Sequence, residues 1–407
     1  MLNVAHVLRK FDSDQWGGTE THVVEISRRL TALGSGQTIH APLGPTGNGP
    51  PGVPVMRYRA FCPFLGSPES IRKLYSRGGN IASFDEAACL FRDRSISLAH
   101  THTLGRIGGA VRSAMRWSGR PYVVSVHGPL LAAREYVRSD THELLRDVWD
   151  LGRPVGALFG ARRVLSDANR VICFNDAELN ALQQRVGRRA VRMDHGVDHK
   201  RWSSGSLERA KLRWPQFGPH PVVTLVGRFS KQKNQLLAVR AFALGAPPEY
   251  RLVFAGGIGE PRYRDQVIRE ARSLGIAGRV HVLSNVEPGD MPDLYARTQF
   301  CILPSRHEAF GLVVLEAWAA GTPVVFSRAG GLNDLGALLR DDTATVKADD
   351  PETWGAVMAL LCQDGLRRRR LAKEGGEWVS KRFDWEVISR QLQRLYEDVV
   401  EEVSSAA

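Results

Sequence analysis

The sequence predicts an α/β protein built from two doubly wound domains. Three observations predict it. The chain has 407 residues, too many for one ordinary core and comfortable for two. Short apolar strands alternate with helix-period segments in two separate series, the pattern of parallel sheets covered on both faces. Glycine-bearing or basic loops follow the first strand of each series, and the carboxyl ends of such strands are where these sheets bind ligands.

In the first series, Leu2 to Leu8 is a short apolar strand followed by Gly17 and Gly18. Thr21 to Leu33 follows as a helix, with Val23, Ile26, Leu30 and Leu33 on one stripe and Gly34 ending it. Further strands are expected at 53–58, 97–102, 122–126, 170–174 and 190–193, with helices filling most of the gaps. The second series has strands at 222–227, 251–256, 279–284, 300–305 and 323–327. Between the series, 198–221 is rich in Ser, Gly, Trp, Pro and charge, and reads as the connection. The domain expectation is therefore 1–199 and 200–384, with a terminal amphipathic helix over 385–407 carrying Trp385, Ile388, Leu392 and Leu395 on one stripe. A ligand site is expected in the cleft between two such domains.

Composition narrows the class. Hydrophobic residues make up 43% and charged residues 24%, the balance of a globular protein. No apolar run approaches the ~20 residues that span a bilayer, and the first residues lack the charged and apolar pattern of a signal peptide. Cys62, Cys89, Cys173, Cys301 and Cys362 are scattered singly, with no CxxC pair and no disulfide framework. The expected location is cytoplasmic. The net charge of +12 suits an anionic partner: a nucleotide diphosphate, an anionic lipid surface or nucleic acid. Nucleic acid is disfavoured, because the longest basic run, Arg367 to Arg370, reads as a solvated helix face and no zinc-finger or RNP-like motif accompanies it. Peripheral contact with an anionic membrane stays open.

The most specific segment is SRHEAFGLVVLEAWAAGTPVVFS, residues 305–327. A strand ends at Pro304, a loop carries His307 and Glu308, and a helix starts at Gly311 or Leu312 and runs to Ala320. Gly321 and Pro323 then end it. The unpaired N–H groups of that helix start favour an anion such as phosphate. The loop and first-turn residues Phe310, Gly311 and Leu312 are the expected backbone lining. A carboxylate repels phosphate but accepts well from sugar hydroxyls, so Glu308 is placed on a donor sugar and Glu316 on a ribose. The plain alternative is a helix with two incidental glutamates. In VGRFSKQKN, 226–234, Arg228 offers planar bidentate contacts to phosphate and Lys233 a point charge, while Lys231 reads as a solvated charge. In WGGTE, 16–20, Gly17 and Gly18 let backbone approach a ligand, or simply form a tight turn. In SVHG, 125–128, His127 ends a strand, where it can meet a sugar hydroxyl or serve structure. His100 and His102 read as structural or acceptor-side. They suggest metal only weakly, with no carboxylate cluster beside them. Asp341, Asp342, Asp349 and Asp350 read as solvated loop.

These segments resemble the retaining GT-B glycosyltransferases of glycosyltransferase family 4. Glu308 and Glu316, with seven residues between them, followed by Gly-Thr-Pro-Val-Val, match that family's paired glutamates. Arg228 and Lys233 match its Arg and Lys, Gly17 to Glu20 its Gly-Gly-x-Glu loop, and His127 its sugar-side histidine. DHGVD, 194–198, resembles its Gly-Val-Asp turn, with His195 where the family commonly has Asn. AGGIGE, 255–260, resembles a loop near the donor. The terminal pattern resembles the helix that crosses back to the N-terminal domain. The resemblance implies two Rossmann-like domains facing across a cleft and transfer of a sugar, with retention, from an NDP-sugar to a hydroxyl or amine acceptor. It implies catalytic roles for His127, Arg228, Lys233 and Glu308. Arg228 and Lys233 would bind the diphosphate and stabilise the leaving group. Donor contacts would come from Gly17, Gly18, Phe310, Gly311, Leu312 and Glu316. It also implies no metal and no cofactor beyond the donor, with UDP favoured by family frequency. Its weakest stretches are 40–95 and 129–165, where Phe61, Phe64 and Tyr75 line an apolar acceptor pocket or belong to the core. Rival readings are a GT-B epimerase or phosphorylase, and a non-catalytic sugar-nucleotide or polyanion-binding protein.

Overall fold

The structure, a computed structural model, describes residues 2–12, 17–43, 52–67, 71, 80–128, 130, 148–347 and 349–406. Trp16 and Tyr75 lie outside them. The chain divides into two compact units, 1–194 with 385–407, and 195–384.

The first unit holds a seven-stranded sheet. Its strands are β1 (Asn3–Val7), β2 (Gly36–Pro42), β3 (Val55–Tyr58), β5 (Leu98–Thr101), β6 (Tyr122–Ser125), β8 (Arg170–Cys173) and β9 (Ala190–Arg192), in the order β3-β2-β1-β5-β6-β8-β9. All neighbours are parallel. β4 (Phe64–Gly66) and β7 (Val148–Asp150) form a separate antiparallel ribbon. β2 and the ribbon are absent from the sequence expectation. β2, GQTIHAP, mixes polar residues into a strand that the sheet buries, so it lacks a continuous apolar run. The core lies where helices 105–117 and 176–186 cover the sheet, with Val7, Ala99, Ile107, Val111, Val124, Val171 and Leu182 fully or nearly fully buried.

The second unit holds β10 (Val222–Val226), β11 (Arg251–Ala255), β12 (Val280–Leu283), β13 (Thr298–Leu303), β14 (Val324–Ser327) and β15 (Thr345–Val346). The order is β12-β11-β10-β13-β14-β15, again all parallel. This is the doubly wound order in which the winding reverses between the first and fourth strands. Val223, Leu225, Phe254, Phe300 and Ile302 from the sheet meet Val239, Phe242, Val267, Trp354 and Met358 from its helices. All five strands expected in this unit form, with ends within two residues of the expected ones.

Three details differ from the sequence reading: the role of 198–221, the place of Leu395 in the terminal stripe, and the solvation of Arg367–Arg370. Residues 198–221, read as the connection, fold into the second unit: helices 199–202 and 207–213 form there, and Trp202, Trp214 and Phe217 are buried. Tryptophan and phenylalanine at this density supply core, which outweighs the loop-like Ser, Gly and Pro. The terminal helix Trp385–Ala406 packs in the first unit on Trp385, Ile388, Leu392, Tyr396 and Val399. Leu395 stands beside that stripe, because the four-residue step from Leu392 reaches Tyr396. The run Arg367–Arg370 is split. Arg367 pairs with Asp341 and Asp364, and Arg368 bonds the carbonyls of Leu361 and Cys362, while Arg369 and Arg370 are exposed.

Candidate active site

In the second unit the expected residues gather where the sheet reverses. β10 delivers Arg228 and Lys233, and β13 delivers Ser305, Glu308 and Gly311, so two adjacent strands feed one site. Lys233 Nζ donates to Glu308 Oε1 at 2.5 Å, and Ser305 Oγ donates to the same oxygen at 2.7 Å. Both charged side chains are largely covered, 18% and 12% exposed, so the pair is screened less than a surface ion pair. The two loops are also tied through backbone: Arg306 N donates to Gln232 O and Gln232 Nε2 to His307 O, each at 2.8 Å. Asn234 is the one described non-glycine residue at positive φ, and its side chain bonds Asp349 at 2.7 Å. Asp349 is exposed, as a solvated loop residue should be, and also braces the Lys233 loop through Asn234.

Arg228 is exposed and makes no ion pair among the described residues. Its backbone is held instead, its carbonyl accepting from Gln235 Nε2 at 2.9 Å. Lys231 is exposed. The AGGIGE loop lies against this segment, with Glu260 N donating to Phe229 O at 2.9 Å and Lys231 N to Glu260 Oε1 at 3.2 Å.

Gly311 caps the helix Leu312–Ala319 at φ 108°, where a Cβ would stand 2.5 Å from Leu332 Cδ2. A residue with a side chain is therefore strained and crowded at this position. The cap supplies no side-chain acceptor, which leaves the first-turn N–H groups and the helix dipole able to receive an anion. Phe310 is buried, its ring against His195 at 5.0 Å and Phe383 at 6.0 Å. It offers a ligand its backbone, not its ring, and His195 serves as its packing partner. Glu316 does not join Glu308. Tyr295 Oη donates to Glu316 Oε2 at 3.2 Å, and burial pushes the Glu316 carboxyl up to about 7, against the lowering pull of Tyr295, Arg201 and Lys233.

In the first unit, Gly17 and Gly18 open the helix Gly18–Ala32, Gly17 as its cap without a side chain. Nearby strand ends carry four histidines, His6, His100, His102 and His127, and the helix Gly18–Ala32 adds His22. His6 Nε2 meets Gln37 Oε1 at 2.8 Å, His6 Nδ1 meets His102 Nε2 at 3.0 Å, and His102 Nδ1 meets His127 Nε2 at 2.8 Å. His100 bonds Tyr396 Oη at 2.5 Å and Ser125 Oγ at 2.8 Å. His22 sets its edge on His127 at 5.2 Å, and His127 stacks on Phe174 at 5.0 Å. Burial lowers the His6 imidazole to about 4 and that of His127 to about 3, so the rings are neutral near pH 7. A neutral imidazole has one N–H and one acceptor nitrogen. With Gln37 Oε1 accepting, every N–H points the same way along the chain, and Nδ1 of His127 is an acceptor. That suits a sugar hydroxyl. His6, His100 and His102 have ligand-like spacing for a metal ion, but all six of their ring nitrogens already have hydrogen-bond partners.

Sequence reasoning missed Ser305, Tyr295, Gln232, His6 and His22. Two had a visible signal. His6 interrupts an apolar strand and pairs in register with His100 on β5. Ser305 precedes Glu308 by three residues, a local side-chain spacing. Tyr295 had none, since only the tertiary fold brings it to Glu316.

The family model described as glycosyl transferases group 1 matches residues 208–378, and that described as a glycosyl transferase 4-like domain matches residues 17–194. A D-inositol 3-phosphate glycosyltransferase of Geodermatophilus obscurus is 28% identical over 414 residues, covering 96% of this chain and 87% of that protein. One of Salinispora tropica is 31% identical over 277 residues, 62% of this chain, and the match spans only 56% of that protein's length. Among solved structures, Anabaena HepE in complex with UDP and glucose has a TM-score of 0.75 at 20% identity, covering 98% of this chain and 100% of that one. Sucrose-phosphate synthase from Thermosynechococcus elongatus has a TM-score of 0.76 at 21% identity, covering 99% and 100%. At these identities the structural likeness is one of fold, and that fold is GT-B. With one glycosyl transferase model on each side of the Asp194–His195 junction, the chain belongs to the group 1 glycosyl transferases and carries a glycosyl transferase 4-like domain ahead of the group 1 domain.

Proposed function

We propose that this glycosyltransferase moves a sugar from an NDP-sugar, a UDP-sugar first, to a hydroxyl acceptor with retention and without a metal ion. The observation that carries the reading is the Lys233–Glu308–Ser305 cluster at the reversal point of the second sheet, beside Arg228 and the Gly311 helix start. Arg228, Lys233 and the helix N–H groups suit a diphosphate, and one well-placed donor at developing charge is worth roughly 3–4 kcal/mol. Glu308 suits hydroxyls of the sugar, and Glu316 those of the ribose. His127 offers a neutral acceptor. In the proposed step the bond from the sugar's anomeric carbon to the diphosphate oxygen breaks. The acceptor oxygen bonds the same face of that carbon, and its proton passes to the leaving phosphate oxygen. HepE, a structural neighbour, is solved with UDP and glucose, which supports a UDP-sugar donor. The relatives' name makes an inositol phosphate the first acceptor to try.

The test is a panel of UDP- and GDP-hexoses with acceptors including D-inositol 3-phosphate, reading NDP release and product anomer by NMR, with and without EDTA. NDP and a glycoside of unchanged anomeric configuration, undiminished by EDTA, are expected. Binding without turnover of any donor favours a non-catalytic binding protein. Release of an altered free sugar favours an epimerase. Activity lost in EDTA and restored by manganese or magnesium overturns the metal-free mechanism.

A further inference from the structure

The β4–β7 ribbon of the first unit has an unusual outer face. Leu65 and Trp149 oppose each other in register, and Leu151 follows in the turn that leaves the strand. They are 59%, 77% and 57% exposed. The inner face is fixed. Phe64 and Asp150 oppose each other over Arg106, whose guanidinium stands 5.3 Å from the Phe64 ring and pairs with Asp150. Arg106 Nε also donates to Gly152 O at 2.9 Å, and Leu151 N to Pro63 O at 2.9 Å. A Cβ on Gly152 would stand 2.5 Å from both Arg106 Cζ and Pro63 Cγ. The buried arginine thus holds the register, and the register holds Leu65 and Trp149 outward, with exposed Leu151 just beyond them.

Beside the ribbon, the helix Arg153–Leu158 and the turn after it line a cavity of about 1070 Å³ with Arg106, Arg112, Arg153, Arg162 and Arg163. Arg106 and Arg112 are neutralised by Asp150 and Asp167. Arg153, Arg162 and Arg163 are exposed and have no ion pair among the described residues. Leu158, on the same helix, is also largely exposed. Cations with unspent charge next to a tryptophan and leucines match one environment: the interface of an anionic bilayer. There tryptophan sits at headgroup depth and arginines meet phosphates.

We propose that this face docks the enzyme on anionic phospholipid. Leu65, Trp149, Leu151 and Leu158 enter the interfacial layer, and Arg153, Arg162 and Arg163 take lipid phosphates. The chain has a net charge of +12, which supports the sign of the surface. Among the described residues no helix is long and apolar enough to cross a membrane, so the contact is peripheral. The proposal is independent of the donor and acceptor.

The experiment is co-sedimentation of the full chain with vesicles of phosphatidylcholine alone and of phosphatidylcholine and phosphatidylglycerol in equal parts, at low and high salt. Melting temperature and oligomeric state are measured without vesicles. The wild type should pellet with the anionic vesicles at low salt, stay in the supernatant with phosphatidylcholine, and be released by high salt. Arg162→Gln with Arg163→Gln should weaken partitioning roughly 30-fold, at about 1 kcal/mol per arginine. Trp149→Ser with Leu151→Ser should abolish pelleting while leaving the melting temperature unchanged. A wild type that ignores anionic vesicles, or variants that pellet like wild type, overturn the proposal. A dimer that the Trp149→Ser, Leu151→Ser variant dissociates also overturns it, because the occupant is then a second copy of the chain.

Discussion

Lys233 donates to the same Glu308 oxygen that Ser305 bonds, across a separation of 75 residues in sequence, and this pairing joins the loops of two adjacent strands. The cation proposed for the diphosphate and the carboxylate proposed for the sugar therefore hold each other in place.

Removing either partner should act differently on free NDP. Glu308→Gln keeps the shape and loses the charge. NDP lacks the sugar, so its affinity should persist while turnover falls. Lys233→Met removes a diphosphate contact and also leaves Glu308 with Ser305 alone, so both NDP affinity and turnover should fall. A charged hydrogen bond is worth roughly 1.5–3 kcal/mol, about tenfold to a hundredfold. Calorimetric titration with NDP beside initial rates separates the two. Normal turnover by Glu308→Gln, or wild-type NDP affinity in Lys233→Met, sinks the placement of the donor.

The second unit was legible in the sequence because its strands are continuous apolar runs and its loops carry the charges. The Glu308 loop and Gly311 helix stood next to each other in one segment. What escaped was long-range. Tyr295 reaches Glu316 and Gln232 reaches His307 only through tertiary packing. In the first unit, His100 and His102 read only as structural or acceptor-side, because their partners His6, His22 and Tyr396 come from other elements. The ribbon was hidden by its length, three residues per strand, too short to show alternation.

The carboxyl of Glu316, raised to about 7 from a reference value of 4.5, predicts a pH dependence. An acid with a raised native pKa binds more protons folded than unfolded between those values, so its contribution to stability falls as pH rises from about 4.5 to about 7. The side chain is only partly covered, so the effect should fall short of its full linkage value. Glu316→Gln removes the titration. Its melting temperature should vary less than wild type's across that window, measured by scanning fluorimetry. Parallel curves for the two proteins would show that Glu316 titrates normally.

The histidine chain predicts the opposite sign in the first unit. His6 is lowered from 6.5 to about 4 by burial. The unfolded chain then binds more protons than the folded one between those values. Stability is present above pH 6.5 and is lost as pH falls toward 4. His6 alone accounts for at most roughly 3–4 kcal/mol, at 1.36 kcal/mol per unit. His6→Gln keeps a hydrogen-bonding group and removes the proton. Its melting temperature at pH 5, relative to pH 7, should fall less than wild type's. An equal fall in both proteins would place the acid sensitivity elsewhere.

The terminal helix should be essential to the first unit. Trp385, Ile388, Leu392, Tyr396 and Val399 are buried there. At about 1.5–3 kcal/mol per buried side chain, five of them amount to roughly 7–15 kcal/mol. That is an upper estimate, but it rivals the about 5–15 kcal/mol of a whole domain. The helix is also tied by polar contacts: Tyr396 Oη to His100 Nδ1 at 2.5 Å, and Arg170 to Glu402. Deleting residues 385–407 should unfold the first unit while the second, with its own core, keeps its transition. Dye binding to exposed apolar surface should rise. Tyr396→Phe is the milder probe. It keeps the ring and removes the hydroxyl, leaving buried His100 short of one partner. The cost should be about 1–3 kcal/mol, read as a lower melting temperature of the first transition only. A truncated chain that melts like wild type would show that the helix is dispensable. A Tyr396→Phe protein with an unchanged first transition would show that packing alone holds it.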